Sequence, residues 1–241
     1  MDGASVLINT YWVRFPRGKA TFEKAVQNTI IMLRAAEKAG VKRIVHVSIA
    51  NPSPNSPLGY YKGKAALEEA IRASRLSYSI LRPTVIFGRE DTLINNIAWF
   101  VRHFPFFGMP GDGEYKLQPI HVGDLADLIV SAAESDANYI LDAVGPEICT
   151  FDQLVTMIAN AINRSTRIVH LPVWLCYIVT RIMGWGLRDV ILTWEEYKGL
   201  MGNLLVSDAD PPGKTRLSQW LVENREVLGV HYASEVARHF R

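Results

Sequence analysis

The first 81 residues alternate between short apolar runs and amphipathic stretches, and this alternation is the strongest constraint on the fold. Three apolar runs of strand length and two stretches of helical periodicity follow one another, at 5–9, 21–39, 44–48, 60–74 and 77–81. Strands and helices that alternate over short connections favour parallel strands joined by right-handed crossovers, with helices on both faces of the sheet. The pattern therefore predicts an α/β fold built on a doubly wound parallel sheet.

The chain beyond residue 88 is less regular. Helices are expected at 91–103, at 124–134 and over most of the chain from 150. Extended segments are expected at 117–122 and 138–142, and a turn-rich loop is expected at 104–113. The part after residue 148 is therefore expected to be smaller and mostly helical.

The sheet also predicts where a ligand binds. Doubly wound sheets bind ligands at the C-terminal ends of their strands. In this chain those ends are 9–10, 48–49 and 82–84. A functional site is therefore expected from these residues and the loops that follow them.

Composition excludes several classes of protein. Of the 241 residues, 49% are hydrophobic and 21% are charged, which is typical of a globular protein and not of a disordered one. The net charge is +2 and the basic residues are scattered, so no nucleic-acid partner is expected. Cys149 and Cys176 have neither metal-ligand spacing nor a disulfide framework, and the histidines add no metal spacing. We therefore expect no metal site and a cytoplasmic localisation.

The most apolar stretch is 173–187, which Arg181 interrupts. It is shorter than the roughly 20 apolar residues that a spanning helix needs. We expect a buried helix here, and the alternative is an interfacial helix that makes a peripheral membrane contact.

Three residues form the main chemical constellation. Lys64 follows Tyr60 by four positions, which places both on one helix face. A nearby ammonium lowers the pKa of a phenol from about 10. Such a phenol can exchange a proton with a substrate hydroxyl or carbonyl while a hydride moves to or from a nicotinamide. Ser48, at a neighbouring strand end, can hold the same oxygen, although a solvent-facing helix turn explains the Tyr-x-x-x-Lys spacing equally simply.

Four motifs in a fixed order add specificity. They are AAEKAGVKRIVHVS at 35–48, YYKGK at 60–64, LRPTVIFG at 81–88 and PIHVGDLA at 119–126. In this order the chain resembles the short-chain dehydrogenase/reductase superfamily, in its extended or atypical branches of epimerases, dehydratases and NmrA-like proteins. Segments 86–95 and 144–146 are similar to the dinucleotide-binding accessory subunits of respiratory complex I and their bacterial relatives.

The resemblance implies an NAD or NADP cofactor in the complete protein. Asn9 and Thr10 would lie beside its adenine half. Arg82, Pro83 and Thr84 would lie beside its nicotinamide half.

The resemblance also assigns catalytic roles. Tyr60 would be the acid/base, and Lys64 would be its electrostatic partner and hold the nicotinamide ribose. One register places Ile49, and not Ser48, at the position of the catalytic serine, so the serine role stays open.

One departure from the family pattern concerns the pyrophosphate. The family begins with a strand, a glycine-rich turn and a helix that grip the pyrophosphate, and residues 4–10 resemble its fourth strand instead. We therefore expect a Rossmann-like sheet that lacks its first strands, in a truncated chain that binds dinucleotide poorly. The expected domains are an incomplete NAD(P)-binding domain at 1–148 and a substrate or partner region at 149–241.

Two functions follow from these expectations. The first is an NAD(P)-dependent oxidoreductase or epimerase/dehydratase-like protein that acts on a hydroxyl or carbonyl carbon of a small molecule, with a nucleotide sugar as a candidate substrate. The alternative is a non-catalytic dinucleotide-binding protein of a regulatory or respiratory-complex assembly type. Residues 11–15 (YWVRF) could form a substrate wall or stack on a ring. The alternative is a packed loop or a contact between the subunits of an oligomer.

Overall fold

The computed structural model describes residues 1 and 3–239. Its strands are β1 (Val6–Asn9), β2 (Arg43–Val47), β3 (Ser77–Pro83), β4 (Ile86–Phe87), β5 (Phe106–Pro110), β6 (Lys116–Leu117), β7 (Ile120–His121), β8 (Tyr139–Ala143), β9 (Cys149–Thr150) and β10 (Arg167–Leu171). Its helices are α1 (Phe22–Lys38), α2 (Gly59–Arg72), α3 (Leu93–His103), α4 (Val122–Glu134), α5 (Phe151–Ala161), α6 (Val173–Leu187), α7 (Trp194–Met201), α8 (Leu217–Glu223) and α9 (Glu235–His239).

The main sheet confirms the predicted α/β fold. Its order is β1-β2-β3-β8, and every neighbouring pair is parallel. In this register Asn9 lies opposite His46, and Val47 lies opposite Leu81. The C-terminal ends of the first three strands therefore meet at one edge of the sheet, as the alternation predicts.

The chain divides into two compact units that interleave along the sequence. The first comprises Met1–Thr84, Gly123–Val144 and Ser207–Gly213, and the second comprises Val85–Val122, Gly145–Val206 and Lys214–Arg241. A division at residue 148 would therefore separate segments that the second unit packs together. The functional division into 1–148 and 149–241 stays a prediction, and its residues 2, 240 and 241 lie outside the described part of the chain.

A buried guanidinium ties the sheet of the first unit to its neighbouring segments. Arg43 Nε donates to the carbonyl of Ala132 and its Nη2 to the carbonyl of Ala137, both at 2.8 Å. The same guanidinium contacts the hydroxyls of Ser77 and Ser79. Arg43 is thus satisfied by four neutral acceptors, which a buried charge requires in order to be tolerated.

The second unit contains strands that the sequence pattern did not predict. β5 falls within the expected loop 104–113, and β10 falls within the region expected to be mostly helical. The two pair in parallel over five residues each, from Phe106 opposite Arg167 to Pro110 opposite Leu171. Glycine and proline in β5 are typical of turns, so only pairing with a distant strand makes this segment extended.

Helix α6 differs from the buried helix expected at 173–187. Its buried residues are Cys176 and Gly184 alone among the described positions of the helix. Trp174, Ile182 and Trp185 are all exposed. No helix in the described part of the chain is long and apolar enough to cross a membrane. The expectation of a buried helix is therefore wrong, because apolar residues occur on both sides of α6 and only one side packs.

The packing of the second unit yields a stability prediction. A Cβ on Gly145 would lie 1.9 Å from the carbonyl oxygen of Pro119, which real structures do not allow. We expect Gly145→Ala to lower the free energy of unfolding by about 2 kcal/mol or more, because backbone must move to relieve the clash. Urea denaturation monitored by circular dichroism measures this change.

Gly186→Ala is the matched control. Gly186 lies in α6, and a Cβ there would meet nothing within 4 Å. We expect a gain of about 0.5–1 kcal/mol, because alanine favours a helix over glycine. A Gly145→Ala variant as stable as the wild type would contradict the close approach.

Candidate functional site

The predicted site residues converge on one edge of the main sheet. Thr10, Ser48 and Thr84 each follow the last residue of a parallel strand, and the three strands β1, β2 and β3 are neighbours. Helix α2 begins in the segment after β2 and carries Tyr60 and Lys64. We call this edge, with the first three turns of α2, the strand-end site.

A buried carboxylate on α2 is the centre of the strand-end site. Glu68 Oε1 accepts a hydrogen bond from the Ser48 hydroxyl at 2.6 Å. Its two oxygens also accept from Arg82, from Nε at 3.0 Å and from Nη2 at 2.6 Å. These hydrogen bonds raise the pKa of Arg82, whose guanidinium is partly exposed. The Ser48 hydroxyl proton is therefore committed to a carboxylate that sequence reasoning did not identify.

Lys64 lies one helical turn before Glu68 and is almost fully buried. Its Nζ donates to the carbonyl of Val47 at 2.8 Å and lies 4.7 Å from the centroid of the Trp12 ring. Burial lowers the pKa of Lys64 from 10.5 to about 7, although the charge of Glu68 opposes this shift. Near neutral pH the amine is thus divided between charged and neutral forms.

Tyr60 belongs to an aromatic cluster. Its ring packs edge-on against Trp12 at 5.6 Å and against Phe22 at 5.8 Å, and Tyr61 lies 5.8 Å away. Trp12 also stacks on Phe22 at 5.9 Å. Such geometries are favourable for aromatic pairs, so the cluster holds the Tyr60 ring in place.

Gly63 permits the close approach of Trp12 to α2. A Cβ on Gly63 would lie 2.7 Å from Cη2 of the indole. Packing therefore positions Trp12, whose ring lies close to Lys64, while Tyr11 is exposed. The packed-loop interpretation of this segment fits these contacts.

The end of β1 carries a polar pair. The Asn9 amide nitrogen lies 2.9 Å from His46 Nδ1, and its carbonyl oxygen accepts from the backbone amide of Tyr11 at 3.0 Å. Burial, with the nearby charge of Lys64, lowers the pKa of His46 to about 3. Asn9 is itself buried, whereas Thr10 is exposed. Of Asn9 and Thr10, Thr10 is therefore the residue that faces solvent.

Pro83 and Thr84, which follow Arg82, lie at the end of β3, and Pro83 contributes to the pairing of the sheet. The carbonyl of Pro83 accepts from the backbone amide of Ala50 at 2.8 Å, and Pro83 and Thr84 are both buried. This bond extends the pairing of β2 and β3 beyond their last residues. The structure thus places Pro83 and Thr84 at the strand-end site, and their contact with a cofactor stays a prediction.

Glu68 and Trp12 are the site residues whose contacts the sequence did not predict. Tyr60, Lys64 and Glu68 recur every four residues, so helical spacing alone places the carboxylate on the same face as the other two. That spacing was the available signal for Glu68. Trp12 lies in a loop, where no periodicity predicts its packing against α2.

The strand-end site fits one half of a nicotinamide dinucleotide. Lys64 Nζ, when protonated, retains two N–H donors beyond the bond to Val47. The indole Nε1 of Trp12 is buried without a hydrogen-bond partner. These donors suit the hydroxyls and the amide of a nicotinamide riboside. For the pyrophosphate, the described residues contain no glycine-rich turn between a strand and a helix, so this half is not matched.

Curated relatives share a substantial part of the sequence. The chain is 31% identical over 177 residues to "NADH dehydrogenase (ubiquinone) 1 alpha subcomplex subunit 9, mitochondrial" of Arabidopsis thaliana, covering 71% of this chain and 44% of the relative. It is 25% identical over 215 residues to "NADH-ubiquinone oxidoreductase 40 kDa subunit, mitochondrial" of Neurospora crassa, covering 88% of this chain and 56% of the relative. The chain thus spans about half the length of these relatives.

The names of these relatives correct one expectation. Both are mitochondrial proteins, as is the corresponding subunit of Dictyostelium discoideum. The predicted cytoplasmic localisation is therefore wrong, because it was inferred from unpaired cysteines, and reducing conditions are not confined to the cytoplasm.

Solved structures and a family model complete the comparison. The fold is similar to that of the Citrobacter sp. triphenylmethane reductase complexed with NADP(H), with a TM-score of 0.71 and 16% identity over 93% of this chain and 77% of that one. Residues 1–136, more than half of the chain, match the family model described as NAD(P)H-binding. This match confirms the predicted resemblance and the cofactor class, NAD or NADP. The chain belongs to the NAD(P)H-binding family, on an epimerase- and reductase-like fold.

Proposed function

We propose that this chain binds a nicotinamide dinucleotide through its nicotinamide half, weakly and without turning it over, as an accessory part of a respiratory assembly. The observation that carries the proposal is the hydrogen bond from the Ser48 hydroxyl to Glu68, at 2.6 Å and buried. A serine engaged in this way, in a carboxylate–guanidinium pair, is not available to hold a substrate oxygen. The names of the mitochondrial relatives support the respiratory setting.

The state of Lys64 supports the same proposal. To lower the pKa of Tyr60, the Lys64 side chain must carry its charge. Burial lowers the pKa of Lys64 to about 7. Above this pH the amine becomes neutral, so it no longer stabilises a deprotonated Tyr60. Lys64 is better suited to bind: its remaining N–H donors point to a role in holding the nicotinamide ribose. When bound, the dinucleotide would supply hydride chemistry, which the proposal leaves unused.

An NAD(P)-dependent oxidoreductase or epimerase is the second candidate function. The one-turn spacing of Tyr60 and Lys64 favours it, and so does the position of both at the C-terminal edge of a parallel sheet. A small-molecule substrate follows from this candidate, with nucleotide sugars suggested by a structural neighbour solved as "MoeE5 in complex with UDP-glucose and NAD".

Binding and turnover separate the two candidates. We expect NADH to quench the tryptophan fluorescence of the chain, and Lys64→Met to weaken binding about tenfold, because a charge-assisted hydrogen bond is lost. Tyr60→Phe keeps the aromatic cluster and is expected to bind as the wild type does. Calorimetric titration with NADH and NADPH measures each affinity.

Turnover is tested in parallel on a panel of carbonyl compounds and nucleotide sugars. We expect no change in NAD(P)H absorbance with the wild type. Robust hydride transfer that Tyr60→Phe abolishes, without loss of NADH affinity, would establish the second candidate and refute the first.

The pKa of Lys64 predicts how binding depends on pH. Below about pH 7 the amine is protonated and donates three N–H groups, and above this value it becomes neutral. The affinity for NADH is therefore expected to fall as the pH rises through about 7. Lys64→Met should remove this dependence, since methionine does not titrate. A wild-type affinity that stays constant between pH 6 and 9 would contradict the ribose-binding role of Lys64.

The Glu68 network predicts an effect on stability rather than on binding. Glu68→Gln removes the charge that compensates Arg82 and is expected to lower the free energy of unfolding by about 3 kcal/mol. Glu69→Gln, an exposed neighbour on α2, is the control and is expected to change stability by less than about 0.5 kcal/mol. Urea denaturation of both variants checks the difference, and equal stabilities would show that Glu68 does not organise the strand-end site.

A further inference from the structure

Helix α6 presents a continuous row of large apolar side chains to solvent. Trp174, Ile178, Ile182 and Trp185 follow one another at intervals of three or four residues, which places them on one side of the helix. Trp185 is 86% exposed and Ile182 is 64% exposed. We call these residues, with the flanking Val179, the apolar face of α6.

The opposite side of α6 packs into its own unit, and Gly184 and Thr180 make two of its close contacts. Gly184 lies so close to the carbonyl of Asp189 that a Cβ there would approach it to 2.6 Å. The Thr180 hydroxyl lies 3.2 Å from the hydroxyl of Tyr197. The usual orientation of a surface helix is thus reversed, with its largest apolar side chains outward.

The charged residues of the α6 segment are all of one sign. Segment 173–188 contains no aspartate or glutamate, while Arg181 and Arg188 are both exposed. The next carboxylate, Asp189, is buried and accepts hydrogen bonds from Tyr232 and from the backbone amide of Val236. An approaching surface therefore meets tryptophan, isoleucine and arginine on this helix. This composition complements an apolar layer covered by anionic groups.

We propose that the apolar face of α6 inserts into the headgroup region of an anionic lipid bilayer and anchors the second unit to a membrane surface. A helix of 15 residues is about 22 Å long, too short for the roughly 30 Å hydrocarbon core but long enough to lie in the interface. Tryptophans near both ends of the row are suited to the boundary between headgroups and acyl chains. Isolated apolar side chains are common on protein surfaces, but a contiguous row of this kind is not.

Lipid explains this face better than a protein partner does. A protein interface generally surrounds its apolar centre with a rim that makes directed hydrogen bonds. The row on α6 offers no hydroxyl, amide or carboxylate, and its flanking groups are cations, which match lipid phosphates. This anchor does not depend on dinucleotide binding by the strand-end site.

Vesicle flotation of the whole chain tests the proposal. The probes are vesicles of phosphatidylcholine alone and of phosphatidylcholine with a minor share of phosphatidylglycerol. We expect the chain to float with the mixed vesicles and its tryptophan emission to shift to shorter wavelength. Ile182→Ser and Trp185→Ser should each lower the partition coefficient about tenfold, because each removes a large apolar side chain from the interface.

Ile31→Ser is the matched control, because Ile31 on α1 is 62% exposed, nearly the same as Ile182. It should float as the wild type does. Arg181→Gln should weaken binding to the mixed vesicles about fivefold and leave binding to phosphatidylcholine unchanged. Since all these side chains are exposed, thermal melting of each variant should match the wild type.

Three results would overturn the proposal. The first is a chain that floats with neither vesicle. The second is flotation that Ile182→Ser and Trp185→Ser leave unchanged. The third is an oligomer in solution that Ile182→Ser converts to a monomer without any vesicle binding by the wild type, which would assign this face to a contact between copies of the chain.

Discussion

A buried carboxylate determines the arrangement of the strand-end site. Glu68 accepts two hydrogen bonds from Arg82, which lies in β3, and one from Ser48, which follows the neighbouring strand β2. A buried charge is tolerated only when it is paired and fully hydrogen-bonded, so α2 cannot shift along the sheet without breaking this set. The position of Lys64, one turn earlier on the same helix, follows from this constraint. The site depends on α2, because the sheet alone would place only the strand ends.

The constraint also changes what the site can do. In the resemblance that the sequence suggests, Ser48, Tyr60 and Lys64 act together on one substrate oxygen. In the structure the Ser48 hydroxyl points to Glu68, the Lys64 amine points to the carbonyl of Val47, and the Tyr60 ring is held by aromatic neighbours. The Ser48 hydroxyl and the Lys64 amine thus each have a structural partner, which supports the proposed binding role over a catalytic one.

The two compact units do not correspond to two continuous halves of the sequence, and they contain different structural features. The first unit contains the parallel sheet and the strand-end site, whereas the second has a separate hydrophobic core around α3, α5 and α8. The second unit also carries the exposed row on α6. Its core does not use the apolar face of α6, because Cys176 and Gly184 are the positions of that helix that pack inward. The two proposed roles, cofactor binding at the strand-end site and membrane contact by α6, therefore belong to different parts of the chain.

The sequence by itself determined the α/β class, the parallel strands and the edge of the sheet at which Thr10, Ser48 and Thr84 meet. Local periodicity is enough for these features, because each strand or helix is a short-range pattern. Only the tertiary structure decided the partner of Ser48, the pairing of β5 with β10 and the side of α6 that faces solvent. Ser48 and Glu68 are 20 residues apart, and β5 and β10 are separated by several elements. Such choices depend on which distant groups come into contact, and α6 has apolar residues on both sides, so hydropathy alone does not specify which side packs.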